Sequence, residues 1–182
     1  MPVRNTATRF GSVAQTFHWL VVVLLILQVT LAKIADHLPL GPDKIGTLAR
    51  HKSVGITILG LAILRLGWRF FDPPPPQPPM PRWQARAASF SHAALYTLLF
   101  AMPLTGWMMS SASNYPVSWF GFVQLPDLVG PDHDLKELLR DVHHTLAKVL
   151  IALASLHLLA ALKHQFLNRD GLILRMLPWR TR

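Results

Sequence analysis

Four apolar stretches, each long enough to cross a lipid bilayer, constrain this chain more than any other feature of its sequence. They cover about residues 13–32, 51–71, 88–110 and 143–166. Each holds roughly 20 residues, which as a helix span the hydrocarbon core of about 30 Å. Lipid offers the backbone no hydrogen bonds, so each stretch has to satisfy its own by forming a helix. The sequence therefore predicts an all-α protein, with residues 1–182 forming a single transmembrane domain built as a four-helix bundle.

The composition excludes several classes of function. The chain has no cysteine, which excludes disulfides, thiolate zinc sites, cysteine-ligated iron–sulfur clusters and covalent c-type haem attachment. Its formal net charge is +9, and the lysines and arginines gather in segments that flank the apolar stretches. This distribution is typical of a protein whose partner is membrane lipid and not nucleic acid.

Basic and acidic residues lie on opposite sides of the predicted bundle. The segment between the second and third spans carries Arg82 and Arg86, and both ends of the chain are basic. The loop between the third and fourth spans is acidic. The positive-inside rule therefore predicts that both termini are cytoplasmic. The basic residues of the two ends are Arg4, Arg9, Arg169, Arg175, Arg180 and Arg182, and the acidic loop residues are Asp127, Asp132, Asp134, Glu137 and Asp141.

Two segments between the spans carry local signals. The segment from Pro73 to Pro81 is proline-rich, which predicts a stiff, extended connection on the cytoplasmic side. Asp134, with Glu137 three residues later, resembles a capping box. It predicts that the fourth helix begins near Leu135, before the apolar stretch itself.

Six histidines lie inside or at the ends of the apolar stretches, where ionisable side chains are rare and usually functional. At about 100° per residue, their spacing places His143, His157 and His164 near one helix face, whereas His144 points elsewhere. Imidazole is a ligand that suits haem iron. The pattern therefore indicates a haem-bearing membrane bundle that moves electrons. The six histidines are His18, His51, His92, His143, His157 and His164.

The spacing along the fourth span fits two haems. His143 and His157 are about 21 Å apart along a helix, which leaves room for one haem near each membrane face. Each haem needs a second ligand from a facing helix. His51 begins the second span at the outer side and is the natural partner of His143. For His157 at the inner side, depth alone leaves two partners open, His18 and His92.

Each of the other polar side chains near these histidines has two possible roles. Four basic residues are candidate partners for haem propionates, although snorkelling to lipid headgroups explains them equally well. His92 and His164 are candidates for hydrogen bonds to a quinone head group, with anchoring at the membrane interface as the alternative. The four basic residues are Arg50, Lys52, Arg65 and Arg69.

Four stretches spread over nearly the whole chain carry a recognisable pattern. They are Phe17-His18-Trp19-Leu20, His51-Lys52-Ser53-Val54-Gly55, His92 at the third span, and His143-His144-Thr145-Leu146-Ala147 followed by His157 and His164. In these stretches the chain resembles the prokaryotic cytochrome b561 family, small four-helix di-haem b proteins of bacterial inner membranes. The histidine spacing is more specific to that family than any single tetrapeptide.

The resemblance implies a function as well as a fold. It implies that His18 and His157 bind the inner haem b, and that His51 and His143 bind the outer one. The chain looks most like the stand-alone members, which implies oxidation of superoxide to dioxygen at the outer face. Ubiquinone would then be reduced near the inner haem, in the region of His164 and His92.

Two other functions compete with this interpretation. Cytochrome b subunits of hydrogenases and formate dehydrogenases resemble the same family, and they take electrons from a docked redox partner protein. A membrane-anchor subunit of that kind is therefore the main alternative. A small transporter or anchor without haem is the third class, and it predicts a colourless purified protein.

The orientation can be tested with reporter fusions in bacterial cells. We expect alkaline phosphatase fused to the C-terminus to be inactive, because the basic segments hold both termini in the cytoplasm. A fusion after Val129, in the acidic loop, is the matched control and should be active. An active C-terminal fusion would contradict the predicted orientation.

Overall fold

The computed structural model describes residues 2–177, which form four long helices. They are α1 (Ser12–His37), α2 (Pro42–Phe71), α3 (Arg82–Ala112) and α4 (His133–Lys163). All four are long and apolar enough to cross a membrane, which confirms the predicted four-helix membrane architecture. Arg180 and Arg182, part of the predicted basic C-terminal end, lie outside the described residues.

The helices extend beyond the apolar stretches that predicted them. Helix α2 begins with Pro42, and proline suits a first turn because its missing N–H has no partner to lose there. Helix α4 begins at His133, with Asp132 as its N-cap. The Asp132 carboxylate accepts a hydrogen bond from the backbone N–H of Leu135 at 3.0 Å. The predicted cap at Asp134 is therefore wrong, because Asp132 already binds the free backbone donor.

The buried core lies between α1, α2 and α3. It is a cluster of aliphatic side chains, Val21, Val54, Ile58, Ala62 and Leu99. Elsewhere the apolar side chains point outward. In the most apolar windows of α1 and α4, only 6% of the residues are buried inside the protein. An exterior of this kind suits lipid and would be unusual in water.

The way the helices pack leaves a slot in the bundle. Helix α1 packs against α2, α2 against α3, and α3 against α4. In the part of the chain that the structure describes, α4 packs closely against α3 but not against α1 or α2. A slot therefore separates α4 from the first two helices, and histidine side chains bridge it.

The two ends of the chain and the α2–α3 connection meet at one end of the bundle. The backbone N–H of Asn5 donates to Asp72 Oδ2 at 2.9 Å, and the Asn5 side-chain amide donates to the Asp72 carbonyl at 3.0 Å. From the other terminus, Arg175 Nη2 donates to the Pro76 carbonyl at 2.9 Å. Asn5 and Arg175, near the two ends of the described residues, therefore lie on the same side as the proline-rich segment 73–81, which forms no helix before Arg82.

A small β-hairpin in the α3–α4 loop was not predicted from the sequence. Strand β1 (Ser118–Trp119) pairs antiparallel with β2 (Val123–Gln124). Phe120 and Gly121 in the turn have positive φ angles of 49° and 80°. The backbone N–H of Phe120 donates to Ser53 Oγ at 2.9 Å, which fixes the hairpin against α2. Strands of two residues are too short to produce a periodic pattern that would predict them.

Candidate functional site

Two pairs of histidines face each other across the slot between α4 and the first two helices. The ring centres of His51 on α2 and His143 on α4 are 6.4 Å apart; we call these residues the outer pair. The ring centres of His18 on α1 and His157 on α4 are also 6.4 Å apart and form the inner pair. His144, next to His143, is exposed and belongs to neither pair.

The spacing within each pair fits an iron ion held between two imidazoles. Each metal–nitrogen bond is about 2 Å and each nitrogen lies about 1 Å from its ring centre, so coaxial ligands have centres about 6 Å apart. Two imidazoles alone leave most of the iron coordination unfilled, and within residues 2–177 no group of three or more histidine, aspartate or glutamate side chains is placed so that it could hold a metal ion by itself. A porphyrin would supply the missing four nitrogen ligands. Both pairs therefore fit axial ligation of haem.

His92 lies beside the inner pair but at a different spacing. Its ring centre is 5.3 Å from that of His157, which is shorter than two ligands on opposite sides of an iron require. His18 has the same 6.4 Å spacing to His157 that the outer pair shows. The geometry therefore favours His18 as the partner of His157, a choice that depth alone leaves open.

Both imidazoles of the outer pair have an oxygen acceptor at Nδ1. His51 Nδ1 lies 3.3 Å from the backbone carbonyl of Gln28, and His143 Nδ1 lies 3.1 Å from Thr105 Oγ1. The Thr105 hydroxyl donates its own hydrogen to backbone carbonyls in the preceding turn, so its oxygen accepts from His143. Each ring therefore carries its proton on Nδ1 and leaves Nε2 as the nitrogen that can bind a metal.

The side chain of Gln28 reaches the same metal-binding nitrogen. Gln28 Nε2 donates to His51 Nε2 at 3.1 Å, and Gly55 gives the amide room, because a Cβ there would lie 3.3 Å from it. Among the described residues, Gln28 Oε1 is buried and has no hydrogen-bond partner. Ligation of iron by His51 therefore requires the Gln28 amide to turn, and its oxygen loses no bond when it does.

Two arginines of α2 lie beside the inner pair. Arg65 Nη2 is 3.3 Å from His18 Nδ1, and the guanidinium carbons of Arg65 and Arg69 lie 5.3 Å and 5.8 Å from the ring centre of Tyr96. Within residues 2–177 neither arginine forms an ion pair with a carboxylate.

The arginines line a small cavity that fits an anionic group. Arg65, Trp68, Arg69 and Tyr96 all border this cavity of about 40 Å³, and so does Asp72, whose carboxylate accepts from the backbone N–H of Asn5. In the described part of the chain, the buried Trp68 Nε1 has no acceptor. Two guanidinium groups that are not ion-paired and a free indole donor fit a further carboxylate such as a haem propionate.

His164 does not join the inner pair. It begins a π-helical turn, His164–Asn168, that follows α4. Its Nδ1 donates to the carboxylate of Asp170, and only 13% of the His164 side chain is exposed. No hydrogen bond described within residues 2–177 uses its Nε2, so this nitrogen is available to a ligand.

The two basic residues beside His51 have different surroundings. Lys52 Nζ donates to the Tyr115 carbonyl at 3.3 Å and lies 5.8 Å from the centre of the Tyr115 ring. Lys52 therefore fastens the α3–α4 loop to α2. Arg50 is exposed.

Gln28, Thr105 and Gly106 also belong to the site, although no sequence pattern predicted them. A Cβ at Gly106 would lie 3.1 Å from Cε1 of His143, so only glycine lets α3 approach that ring so closely. Single small or polar residues inside an apolar span carry no periodic signal. Their importance depends on which residues face each other across neighbouring helices, and that is visible only in the folded chain.

The chain is similar to known proteins over nearly its whole length. The family model described as "Prokaryotic cytochrome b561" matches residues 9–179. "Cytochrome b561 homolog 2" of Escherichia coli (strain K12) is 33% identical over 188 residues, covering 97% of this chain and 95% of that protein. "Cytochrome b561 homolog 1" of the same strain is 31% identical, covering 94% and 98%. "Probable superoxide oxidase CybB" of Yersinia pestis is 30% identical over 162 residues, covering 88% and 91%.

Replacement of Gly106 by alanine tests the close approach of α3 to His143. We expect Gly106→Ala to lower the haem content of the purified protein, because the new methyl group displaces the imidazole from its position. Gly60→Ala is the matched control, since a Cβ there meets no atom within 4 Å and alanine favours the helix by roughly 0.5–1 kcal/mol. A pyridine haemochromogen assay gives the haem content per chain. Equal haem content in the two variants would show that Gly106 is not needed.

Proposed function

The chain belongs to the prokaryotic cytochrome b561 family, and we propose that it is a di-haem b protein that oxidises superoxide and reduces ubiquinone. Proteins of this family transfer electrons and bind haem b. We place this one in the bacterial inner membrane, with superoxide oxidised at the outer face and ubiquinone reduced near the inner haem. The observation that carries the proposal is the pair of matched 6.4 Å spacings between histidines at the two ends of one slot.

Four histidines would hold the two haems. His51 and His143 would ligate the outer haem, and His18 and His157 the inner haem. When bound, haem b gains and loses single electrons, a chemistry that no side chain of this chain supplies alone. The oxygen acceptors at Nδ1 of the outer pair support ligation through Nε2.

The arginines would hold the propionates of the inner haem. Ligation of His18 through Nε2 places a proton on its Nδ1, and arginine can only donate. The contact between Arg65 and His18 Nδ1 would then give way, and the guanidinium would turn to a carboxylate nearby. Arg69 and the free Trp68 indole face the same cavity. At the outer haem, Arg50 and Lys52 are the candidate partners, and Arg50 is the one not engaged by the α3–α4 loop.

The proposed reaction balances as two one-electron oxidations and one two-electron reduction. Two superoxide ions each lose one electron and become dioxygen, and one ubiquinone takes up both electrons and two protons to become ubiquinol. His92 and His164 are the candidate hydrogen-bond partners of the quinone. His92 lies beside the inner pair, and His164 has a free Nε2. The printed name of the Yersinia pestis relative supports superoxide as the substrate.

Stopped-flow spectroscopy of the purified protein tests the proposed reaction. We expect the haem absorbance to show reduction directly after mixing with superoxide, and reoxidation when ubiquinone is added. Superoxide dismutase in the mixture is the control and should abolish the reduction. Haem that stays oxidised in superoxide, but is reduced by other donors, would instead favour a membrane-anchor subunit that receives electrons from a partner dehydrogenase or hydrogenase.

Histidine variants test the ligand assignment separately from the reaction. We expect wild-type protein to carry two haems per chain, and His157→Ala and His143→Ala each to lose a different one. His144→Ala is the matched control for His143→Ala and should retain both, because its ring lies outside the pairs. Haem content and reduced-minus-oxidised spectra give the result. Loss of a haem from His144→Ala, with both retained in His143→Ala, would overturn the assignment of the outer pair.

A further inference from the structure

The outer and inner pairs differ in the electrical character of the groups that face Nδ1 of their imidazoles. Both outer imidazoles have an oxygen acceptor at Nδ1, the Gln28 carbonyl for His51 and the Thr105 hydroxyl for His143. The inner pair has no such acceptor within residues 2–177. His18 Nδ1 faces the Arg65 guanidinium instead, and the ring of His157 lies beside the rings of His18 and His92.

Fixed charges reinforce this difference. Arg65 Nη2 lies 3.3 Å from His18 Nδ1, and no carboxylate ion-pairs with this arginine in the described part of the chain. At the outer pair, the amine of the neighbouring Lys52 is held instead by the carbonyl and ring of Tyr115. A guanidinium therefore contacts an imidazole of the inner pair directly, whereas in the described part of the chain no basic side chain hydrogen-bonds to an imidazole of the outer pair.

Both differences act in the same direction on a bound haem iron. An oxygen acceptor at Nδ1 makes an imidazole a stronger electron donor, and this favours ferric iron. A nearby guanidinium favours ferrous iron, because the reduced site carries one positive charge fewer. Pairing of Arg65 with a haem propionate keeps this direction, since it neutralises a negative charge beside the iron.

We propose that these contacts make the inner haem easier to reduce than the outer haem, so that the fold itself directs electrons from the outer face to the inner face. Thr105 and Arg65 are the positioning residues that set the difference. The inference rests on the proposed haem ligation and deepens it, because it gives the electron transfer a direction that ligation alone does not supply.

Thr105 acts on the outer haem through His143. Its hydroxyl hydrogen is committed to the carbonyls of Ala101 and Met102 at 2.8 Å and 2.9 Å, which fixes its oxygen as an acceptor. Loss of the hydroxyl removes the acceptor at His143 Nδ1 and therefore weakens the electron donation of this imidazole.

Redox titration of the full-length, haem-loaded protein tests the inference. We expect wild-type protein to show two midpoint potentials, and His143→Ala to lose the lower one. Thr105→Val should raise the lower potential and leave the higher one in place, whereas Thr105→Ser, which keeps the hydroxyl, should match wild type. Arg65→Gln should lower the higher potential and leave the lower one in place. Arg65→Lys keeps the charge, so its higher potential should stay close to that of wild type.

The possible outcomes separate this inference from the proposed function. One haem per wild-type chain would refute the di-haem proposal itself. Two haems with the lower potential at the inner pair, or with equal potentials, would refute the inference and leave the di-haem proposal standing. Potentials that do not move in either Thr105→Val or Arg65→Gln would also overturn it. If Arg65→Gln loses the inner haem, Arg69→Gln provides the second measurement, with a smaller shift in the same direction.

Discussion

The structure depends on four imidazoles that span a slot between α4 and the first two helices. Polar groups in a membrane interior have to find partners within the protein. Here the two histidine pairs lie at opposite ends of one slot and share a spacing of 6.4 Å. Direct packing of α4 against α1 or α2 would close the slot and leave no room for a porphyrin. The gap between α4 and the first two helices therefore lies where the proposed haems would bind.

Helix α3 makes this arrangement possible. It packs against both α2 and α4. Helix α3 therefore connects α4 to the rest of the bundle, because α4 does not pack closely against α1 or α2 in the described part of the chain. At Gly106 it comes within van der Waals distance of His143, and the Thr105 hydroxyl oxygen accepts a hydrogen bond from Nδ1 of the same ring. The helix without a haem ligand in the proposed assignment thus positions one. At the inner pair, arginines of α2 take the role that Thr105 and Gly106 have at the outer pair, because Arg65 contacts the imidazole of His18.

Much of this architecture was predictable from the sequence, because each span is a long apolar stretch and each histidine has a defined depth within it. The pairing of His51 with His143 follows from depth alone. The partner of His157 does not, because His18 and His92 lie at similar depth and only the rings' spacing separates them.

Other features depend on contacts that a sequence pattern does not encode. Helix α4 begins at the cap formed by Asp132. The sequence alone does not distinguish this cap from Asp134, because a carboxylate at either position can accept from the free backbone N–H groups. The roles of Thr105 and Gly106 arise from the register between α3 and α4. The hairpin at Phe120 forms because Ser53 on α2 offers it a hydrogen-bond partner, and its strands are too short to be recognised in advance.

Electron paramagnetic resonance of the oxidised, purified protein tests the central claim most directly, because it reports the axial ligands of each iron without reference to any substrate. Two imidazoles on each iron give low-spin ferric haem. The account predicts two low-spin signals, each integrating to one spin per chain. A high-spin signal, or low-spin intensity equal to a single haem per chain, would contradict it.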